Sequence, residues 1–345
     1  MMRKSRWLGF AILLAIAAIS FVALFLPRQP LAASGVYAVG TERYTYTDDQ
    51  RTEPYSNSSE FRQVNVTCWY PQNESDGETF PLIIFSHGGL GTENSNESLY
   101  RELASHGYVV CSIGHPQHAL WTKSKDGHLT FVSLEYFGEL QREDAYANKE
   151  QSYRYYQKWM NIRTADINFV VDTLLTKAAE GTSGVYTLID STKIGVMGHS
   201  LGGSAALAIP RQREDIDAVI ALESPFLYDI VGVENGEFIW LDEEYPVPVL
   251  NIYSDSSWSH LAEWPQYARN ASLLTNALST AISIYLPGRG HFSLTDLSLA
   301  SPLLTRILDS GRPARDNVEY LREVNQICLN FFDHFLKNQT VEIRR

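Results

Sequence analysis

The stretch KIGVMGHSLGGSAA, residues 193–206, decides the fold. Its apolar first half predicts a short buried strand, and the small residues after Leu201 predict a helix. Between them, residues 198–202 match G-x-S-x-G, in which a serine stands on a sharp strand-to-helix turn with its hydroxyl exposed above a sheet. Glycines two positions before and after it leave room for tightly packed backbone. We therefore predict that Ser200 is a nucleophile and that the amide of Leu201 is one donor to an oxyanion.

Length and composition predict one large domain and exclude some partners. The 345 residues are 44% apolar and 20% charged, which fits a globular domain over 31–345 with a substantial core. The net charge of −12, from 28 basic and 40 acidic residues, argues against nucleic acid as a partner because phosphate binding needs a basic surface. The nine histidines include no metal-binding spacing such as HExxH, so we expect no metal and no cofactor.

The N-terminal segment has the pattern of a membrane anchor. Three basic residues within the first six positions precede an uncharged run over 7–26. Twenty residues form a helix of about 30 Å, which suits a bilayer core. Because a positive flank stays cytoplasmic, we expect 1–30 to be a signal anchor with the following domain outside the cytoplasm. The alternative is a signal peptide cleaved near 31–34, which would release a secreted protein.

The three cysteines allow two interpretations. Cys68 and Cys111 lie in strand-like runs, Cys328 lies in a helical pattern, and there is no CxxC. The sequence favours buried free thiols, with a Cys68–Cys111 disulfide as the alternative.

Strand-like and helix-like segments alternate after residue 80, which predicts a mostly parallel sheet covered by helices on both faces. The aromatic and polar region 119–160 interrupts this alternation, either as a lid over the site or as an ordinary surface excursion. The predicted strands are 36–46, 62–70, 81–85, 108–113, 217–222, 248–253 and 281–286, and the predicted helices are 97–106, 161–179, 259–277 and 317–337.

A serine nucleophile needs a base, and the base needs a carboxylate to orient it. His291 lies in a glycine-rich loop after the last predicted strand and is the expected base. Two residues are candidates for the acid, because Glu223 and Asp255 both close predicted strands, where sheet enzymes place functional groups. The second oxyanion donor is expected in the loop after the third strand, at Gly89 or alternatively at Leu90.

Five blocks resemble the platelet-activating factor acetylhydrolases of the plasma type, isoform II, and their bacterial relatives. In chain order these blocks are FSHGGLG (85–91), LASHGYVV (103–110), GHSLGG (198–203), IALESPF (220–226) and GRGHFSLTD (288–296). The resemblance extends over about 62–336 and implies an α/β-hydrolase fold. It also implies the roles already assigned to Ser200 and His291. The family's acid is an aspartate after the elbow, and Glu223 occupies the matching position. This family match favours Glu223, whereas the usual position in this fold favours Asp255. Glu223 is therefore preferred on the resemblance, and Asp255 remains the alternative.

The resemblance implies a serine-dependent carboxylic ester hydrolase that acts through an acyl-enzyme. A short-acyl phospholipid or another lipid-like ester is the expected substrate. General esterase, lipase or cutinase-like polyester hydrolysis is the alternative. A further alternative, a non-catalytic binding protein, would keep the fold but lack a catalytic member. The oligomeric state stays open.

Overall fold

The computed structural model describes residues 30–56, 59–72, 77–275, 281–310 and 314–342. Its centre is an eight-stranded sheet. The sheet strands are β1 (Ala38–Thr52), β2 (Phe61–Gln72), β3 (Phe80–Ser86), β4 (Val109–Gly114), β7 (Ile189–His199), β8 (Ala218–Leu222), β11 (Val249–Tyr253) and β12 (Ala281–Tyr285). They lie side by side in the order β1-β2-β4-β3-β7-β8-β11-β12. Strand β2 runs antiparallel to both β1 and β4, and all neighbours from β4 to β12 are parallel.

Two small hairpins and eight α-helices complete the described part of the chain. The hairpins are β5 (Trp121–Lys123) with β6 (Leu129–Phe131), and β9 (Ile230–Glu234) with β10 (Glu237–Trp240). The helices are α1 (Glu97–Ser105), α2 (Leu134–Arg142), α3 (Lys149–Ala179), α4 (Leu201–Ala208), α5 (Ala268–Thr275), α6 (Leu297–Ala300), α7 (Pro302–Leu308) and α8 (Asn317–Lys337).

Helices cover both faces of the sheet, as the sequence predicts. The apolar stripe of α3 and the small residues of α4 belong to the core on one face, and α1 and α8 belong to the core on the other. Every residue of β3 is buried, which explains why this strand is apolar throughout rather than alternating. The parallel strands all point their carboxyl ends to one edge, which is where such sheets place functional groups.

Three segments differ from their predicted bounds. Helix α3 begins at Lys149 rather than 161, and the Asn148 side chain caps it by accepting from the amide of Gln151. The aromatic second part of 119–160 is therefore helical, and the rest holds the β5–β6 hairpin and α2. The predicted helix over 259–277 is broken into single turns before α5, with Pro265 starting one of them. Strand β1 continues to Thr52 because it pairs with β2 beyond the predicted end.

The cysteine prediction is wrong for two of the three residues. Cys68 on β2 and Cys111 on β4 are directly opposite in antiparallel register, with Cα atoms 4.1 Å apart, and they form a disulfide. The register between β2 and β4 brings them together, and the local sequence pattern does not reveal that register. Cys328 on α8 is a buried free thiol, as predicted.

Residues 1–29 of the predicted anchor lie outside the described residues. Within the part of the chain that the structure describes, no helix has both the length and the apolar character needed to cross a membrane. Residues just after this segment contact α1, where the amide of Leu31 donates to Ser98 Oγ at 2.9 Å.

Candidate active site

Ser200 occupies the sharp turn between β7 and α4. Its backbone has φ 53° and ψ −127°, a region that a non-glycine residue enters only under strain. The amide of Ser200 donates to the carbonyl oxygen of Leu222 at 2.8 Å, which ties the turn to the end of β8. This geometry is that of a nucleophile elbow, because it lifts the serine above the carboxyl edge of the sheet.

The glycines of the motif are required by close approach of backbone. A Cβ atom at Gly198 would lie 2.4 Å from the carbonyl carbon and oxygen of Gly202. A Cβ atom at Gly202 would lie 2.0 Å from the oxygen of Ser86 and 2.3 Å from that of His87. The loop after β3 therefore lies directly against the first turn of α4.

That loop forms a tight turn beside the serine. The amide of Gly91 donates to the oxygen of Gly88 at 3.1 Å, and Leu90 has a φ of 60°. A Cβ atom at Gly88 would lie 3.3 Å from the Cβ of Ser200, and one at Gly89 would lie 3.3 Å from the hydroxyl of Tyr136. The structure thus brings Gly89 and Leu90, the two candidate oxyanion donors, to the same place as the elbow. Helix α2, from the region 119–160, packs over them.

Glu223 follows β8 next to the elbow and is buried, with a φ of 53°. Its Oε2 accepts from the amide of Ser254 at 2.5 Å. Its Oε1 is buried and has no hydrogen-bond partner among the described residues. Burial raises the pKa of Glu223 to about 7, and contacts with Ser257 and Ser254 oppose that rise. One carboxylate oxygen is therefore free to accept a further hydrogen bond.

Asp255, the alternative acid, has both oxygens engaged. Its side chain is exposed, its Oδ1 accepts from the hydroxyl of Tyr285 at 2.7 Å, and its Oδ2 accepts from the amide of Gly288 at 3.0 Å. These bonds hold the loop that leads to His291, so the carboxylate of Asp255 has a structural role.

His291 lies in the loop after β12. Its amide donates to Ser256 Oγ at 2.9 Å, and its ring is 4.4 Å from that of His199 between centroids. The Nε2 of His199 donates to the carbonyl oxygen of His291 at 3.1 Å, which holds the loop beside the elbow. Burial lowers the pKa of His291 to about 4, so its imidazole is neutral at pH 7.

The three proposed catalytic residues share the carboxyl edge of the sheet, following β7, β8 and β12. Both Glu223 and His291 are bound to the segment just after β11, through Ser254 and Ser256 respectively. Among the hydrogen bonds of the described residues, none joins the imidazole of His291 to Ser200 or to Glu223. The structure thus gathers the residues at one edge without connecting them by direct bonds.

A buried arginine next to the site escaped the sequence analysis. Arg163 of α3 is 0% exposed and donates to the carbonyl oxygens of His87 and Gly88. The available signal was its position on the apolar stripe of the helix, four residues before Ile167 and seven before Val170. Within the described ranges, no group of three His, Cys, Asp or Glu side chains is arranged to hold a metal ion.

The sheet and the elbow place this protein among the α/β-hydrolase-like folds. A ferulic acid esterase from Streptomyces cinnamoneus has a similar structure, with a TM-score of 0.67 and 20% identity over 91% of this chain and 95% of that one. The chain belongs to the family of platelet-activating factor acetylhydrolases, isoform II, which matches residues 37–342. The resemblance predicted from the five sequence blocks is confirmed.

Curated relatives match only part of this chain. Cutinase est1 of Thermobifida alba is 29% identical over 201 residues, which cover 56% of this chain and 53% of that protein. Cutinase cut1 of Thermobifida fusca is 27% identical over 225 residues, covering 63% and 56% respectively. A probable 1-alkyl-2-acetylglycerophosphocholine esterase of Arthroderma benhamiae is 25% identical over 199 residues, covering 55% and 44%. The chain aligns with about half the length of these relatives.

Proposed function

We propose that the protein is a serine-dependent carboxylic ester hydrolase with Ser200 as nucleophile, His291 as base and Glu223 as the orienting acid. The observation that carries the proposal is the strained elbow of Ser200 packed against the loop of Gly88 and Leu90. A hydroxyl at this turn is suited to attack a carbonyl, and the amides of Leu201 and of the adjacent loop are the proposed donors to the charge that develops. The names of the relatives, all ester hydrolases, support the same class of reaction.

In this mechanism His291 removes the proton of Ser200 as the hydroxyl oxygen attacks the ester carbonyl. The amides of Leu201 and Gly89 donate to the oxyanion of the tetrahedral intermediate. The intermediate collapses to an acyl-enzyme, and His291 gives its proton to the departing alcohol. Water activated by His291 then releases the acid and restores Ser200. The reaction needs no cofactor.

Glu223 rather than Asp255 is the proposed acid. Its unpartnered Oε1 lies in a buried position where a hydrogen bond to a histidine is strong, because no water competes for it. Asp255 would have to give up its bond to Tyr285 or Gly288 to take this role. The proposal requires the His291 ring to hydrogen-bond to both Glu223 and Ser200 in the substrate complex, because catalytic hydrogen bonds often form or tighten only when substrate is bound.

A lipid-like ester with a short acyl chain is the proposed substrate. The region 119–160 supports it because Leu120 and helix α2 of this region contact the loop after β3, and the region carries exposed apolar side chains suited to apolar substrate parts. These exposed side chains include Leu120, Trp121, Leu129, Phe131, Leu134 and Phe137. The second candidate is a polyester of the cutinase kind, which the Thermobifida relatives favour. A panel of phosphatidylcholines and aliphatic polyesters, graded by acyl length, distinguishes the two.

The domain is proposed to work outside the cytoplasm, tethered by 1–30. The Cys68–Cys111 disulfide supports this location because disulfides persist in oxidising compartments. Protease treatment of intact cells tests it: the domain should be digested while a cytoplasmic marker survives. A domain protected in intact cells and digested only after lysis would contradict the location. Recovery of the domain in the medium would indicate a cleaved signal peptide instead of a membrane anchor.

Labelling by a fluorophosphonate tests the function itself. Full-length protein in detergent should label stoichiometrically and hydrolyse p-nitrophenyl acetate, whereas the Ser200→Ala variant should do neither. A folded wild type that neither labels nor hydrolyses any ester of the panel would favour the non-catalytic binding protein. Unchanged hydrolysis by Ser200→Ala would exclude Ser200 as the nucleophile.

A further inference from the structure

Arg163 is a cation buried against the apolar core. Its side chain is 0% exposed, and because burial removes water from the guanidinium, the pKa of Arg163 is lowered. Among the ion pairs of the described residues, none joins Arg163 to a carboxylate. The nearby carboxylate of Asp166 is instead paired with Arg62 at 2.7 Å and with His115 at 2.9 Å. A well-packed apolar side chain would fill such a position at lower cost, so the guanidinium needs another explanation.

The guanidinium donates to two successive carbonyl groups of the loop after β3, which lies beside the elbow of Ser200. Its Nη1 donates to the oxygen of His87 at 2.5 Å, and its Nη2 donates to that of Gly88 at 3.3 Å. Its Nε donates to His118 Nδ1 at 3.2 Å, and the His118 ring stacks on Tyr136 at 3.9 Å between centroids. The planar fork is thus fixed at both ends, which a flexible ammonium group would not be.

These contacts help to fix where the amide of Gly89 points, together with the bonds that the Gly88 oxygen accepts from His87 Nδ1 at 2.7 Å and from the amide of Gly91 at 3.1 Å. A trans peptide is planar, so its carbonyl and its N–H point in opposite directions. The carbonyl of Gly88 belongs to the same peptide as the N–H of Gly89. When Arg163 holds that carbonyl from one side, the N–H of Gly89 is directed to the other side. A charged donor on the carbonyl also polarises the peptide and strengthens the N–H as a donor.

We propose that Arg163 is a positioning residue that orients and polarises the Gly88–Gly89 peptide, so that the amide of Gly89 serves the oxyanion. This proposal rests on the proposed ester hydrolysis and specifies which peptide supplies the second donor. Arg163 touches no reacting atom. It acts through the loop, and its effect should appear in the transition state rather than in substrate binding.

Replacement of Arg163 by Lys or Met tests the proposal. Loss of one oxyanion donor costs about 10²- to 10³-fold in kcat, and a misdirected donor should cost about 10- to 100-fold. We expect kcat for p-nitrophenyl acetate to fall by that factor, with KM changed by less than about twofold. Rates are divided by the number of sites that a fluorophosphonate finally labels, so that loss of folded protein does not count as loss of catalysis.

Arg211 offers a control for the loss of a nearly buried arginine. It also donates to two backbone carbonyls, those of Glu243 and Glu244, which lie outside the loop after β3, and it differs from Arg163 in being paired with Asp229 at 3.0 Å. Arg211→Lys should lower the melting temperature at least as much as Arg163→Lys, because it also weakens this ion pair, and should leave kcat unchanged. A structural role for Arg163 alone would make the two variants behave alike.

A double-mutant cycle with Gly89 tests whether Arg163 acts through that amide. Gly89→Pro removes the N–H at the second position of a turn whose third residue, Leu90, is left-handed, and proline is common there. Gly89→Ala adds a similar Cβ but keeps the N–H. We expect Gly89→Pro to lose about 10²- to 10³-fold in kcat and Gly89→Ala to lose much less. In the Gly89→Pro background, Arg163→Lys should cost less than about threefold.

Three results would overturn the proposal: unchanged kcat in Arg163→Lys, additive losses in the double variant, or equal activity of Gly89→Pro and Gly89→Ala. The third result would overturn the proposal even if every Arg163 variant failed to fold, because it would show that the amide of Gly89 is not a donor to the oxyanion. Failure of the proposed function would look different, because Ser200→Ala would then retain hydrolysis or the wild type would show none.

Discussion

Replacement of Glu223 by glutamine should slow catalysis and stabilise the protein in a pH-dependent way. The change removes a buried charge and keeps the shape of the side chain. Burial raises the pKa of Glu223 from its ordinary 4.5 to about 7. The folded state then binds this proton more tightly than the unfolded state does. The contribution of Glu223 to stability is therefore full below pH 4.5, falls as the pH rises, and is at its minimum above pH 7.

The size of the effect follows from the two pKa values. At about 1.4 kcal/mol per pH unit, a rise from 4.5 to about 7 corresponds to about 3 kcal/mol. The glutamine does not titrate. The free energy of unfolding of Glu223→Gln minus that of the wild type should therefore increase by about 3 kcal/mol between pH 4.5 and pH 8.5. Any fixed packing difference cancels, because it contributes equally at both pH values.

Urea denaturation at the two pH values measures this increase, and hydrolysis of p-nitrophenyl acetate at pH 8 measures the cost to catalysis. If Glu223 orients His291, kcat should fall by about 10³- to 10⁴-fold, because the amide cannot stabilise the imidazolium. Asp255→Asn is the control, since its carboxylate is exposed and bound to Tyr285 and Gly288. It should keep kcat within about tenfold.

Two outcomes would refute the reasoning. A stability difference that does not change with pH would mean that Glu223 is not held in a charge-disfavouring position. Near-normal kcat in Glu223→Gln, together with a large loss in Asp255→Asn, would assign the acid to Asp255.

Three further predictions follow from the same geometry. The plot of kcat/KM against pH should fall on the acid side with a midpoint near 7, as the carboxylate of Glu223 takes up its proton, and a midpoint near 4 would contradict this. Gly202→Ala should lose most labelling by fluorophosphonate, because its Cβ would lie 2.0 Å from the oxygen of Ser86. Full labelling would contradict this and would show that the backbone after β3 can shift to accommodate the methyl group. Replacement of Cys68 and Cys111 by serine should lower the free energy of unfolding in urea by about 3–4 kcal/mol, whereas a loss below about 1 kcal/mol would argue against the disulfide.

Local patterns made much of the fold predictable. Local sequence patterns predict the strand before Ser200 and the buried strand β3, which are short apolar runs. They also predict α3 and α8, whose apolar residues recur with helical spacing. The start of α3 was missed by twelve residues because its first turns pack aromatic side chains against α2 rather than an apolar stripe against the sheet. The Asn148 cap and these tertiary contacts set that end of the helix, and neither belongs to the apolar stripe.

The features that the sequence left open depend on partners far along the chain. Arg163 contacts carbonyl oxygens 75 and 76 positions away, and no local pattern signals such a bond. The Cys68–Cys111 disulfide depends on a strand register that the pattern does not determine. The assignments of Ser200, His291 and Glu223 to catalysis, and the anchor at the N-terminus, stay predictions for the experiments above.

Backbone strain separates the two candidate acids by a criterion independent of hydrogen bonding. The described non-glycine residues with positive φ include Leu90, Ser200 and Glu223, at 60°, 53° and 53°. All three follow strands at the carboxyl edge of the sheet. Such conformations cost free energy and persist where the surrounding structure enforces them, which is common at catalytic sites. Asp255 has no such strain. The proposed nucleophile, the loop of the proposed oxyanion donors and Glu223 therefore share a backbone conformation that Asp255 lacks, and this favours Glu223 as the proposed acid.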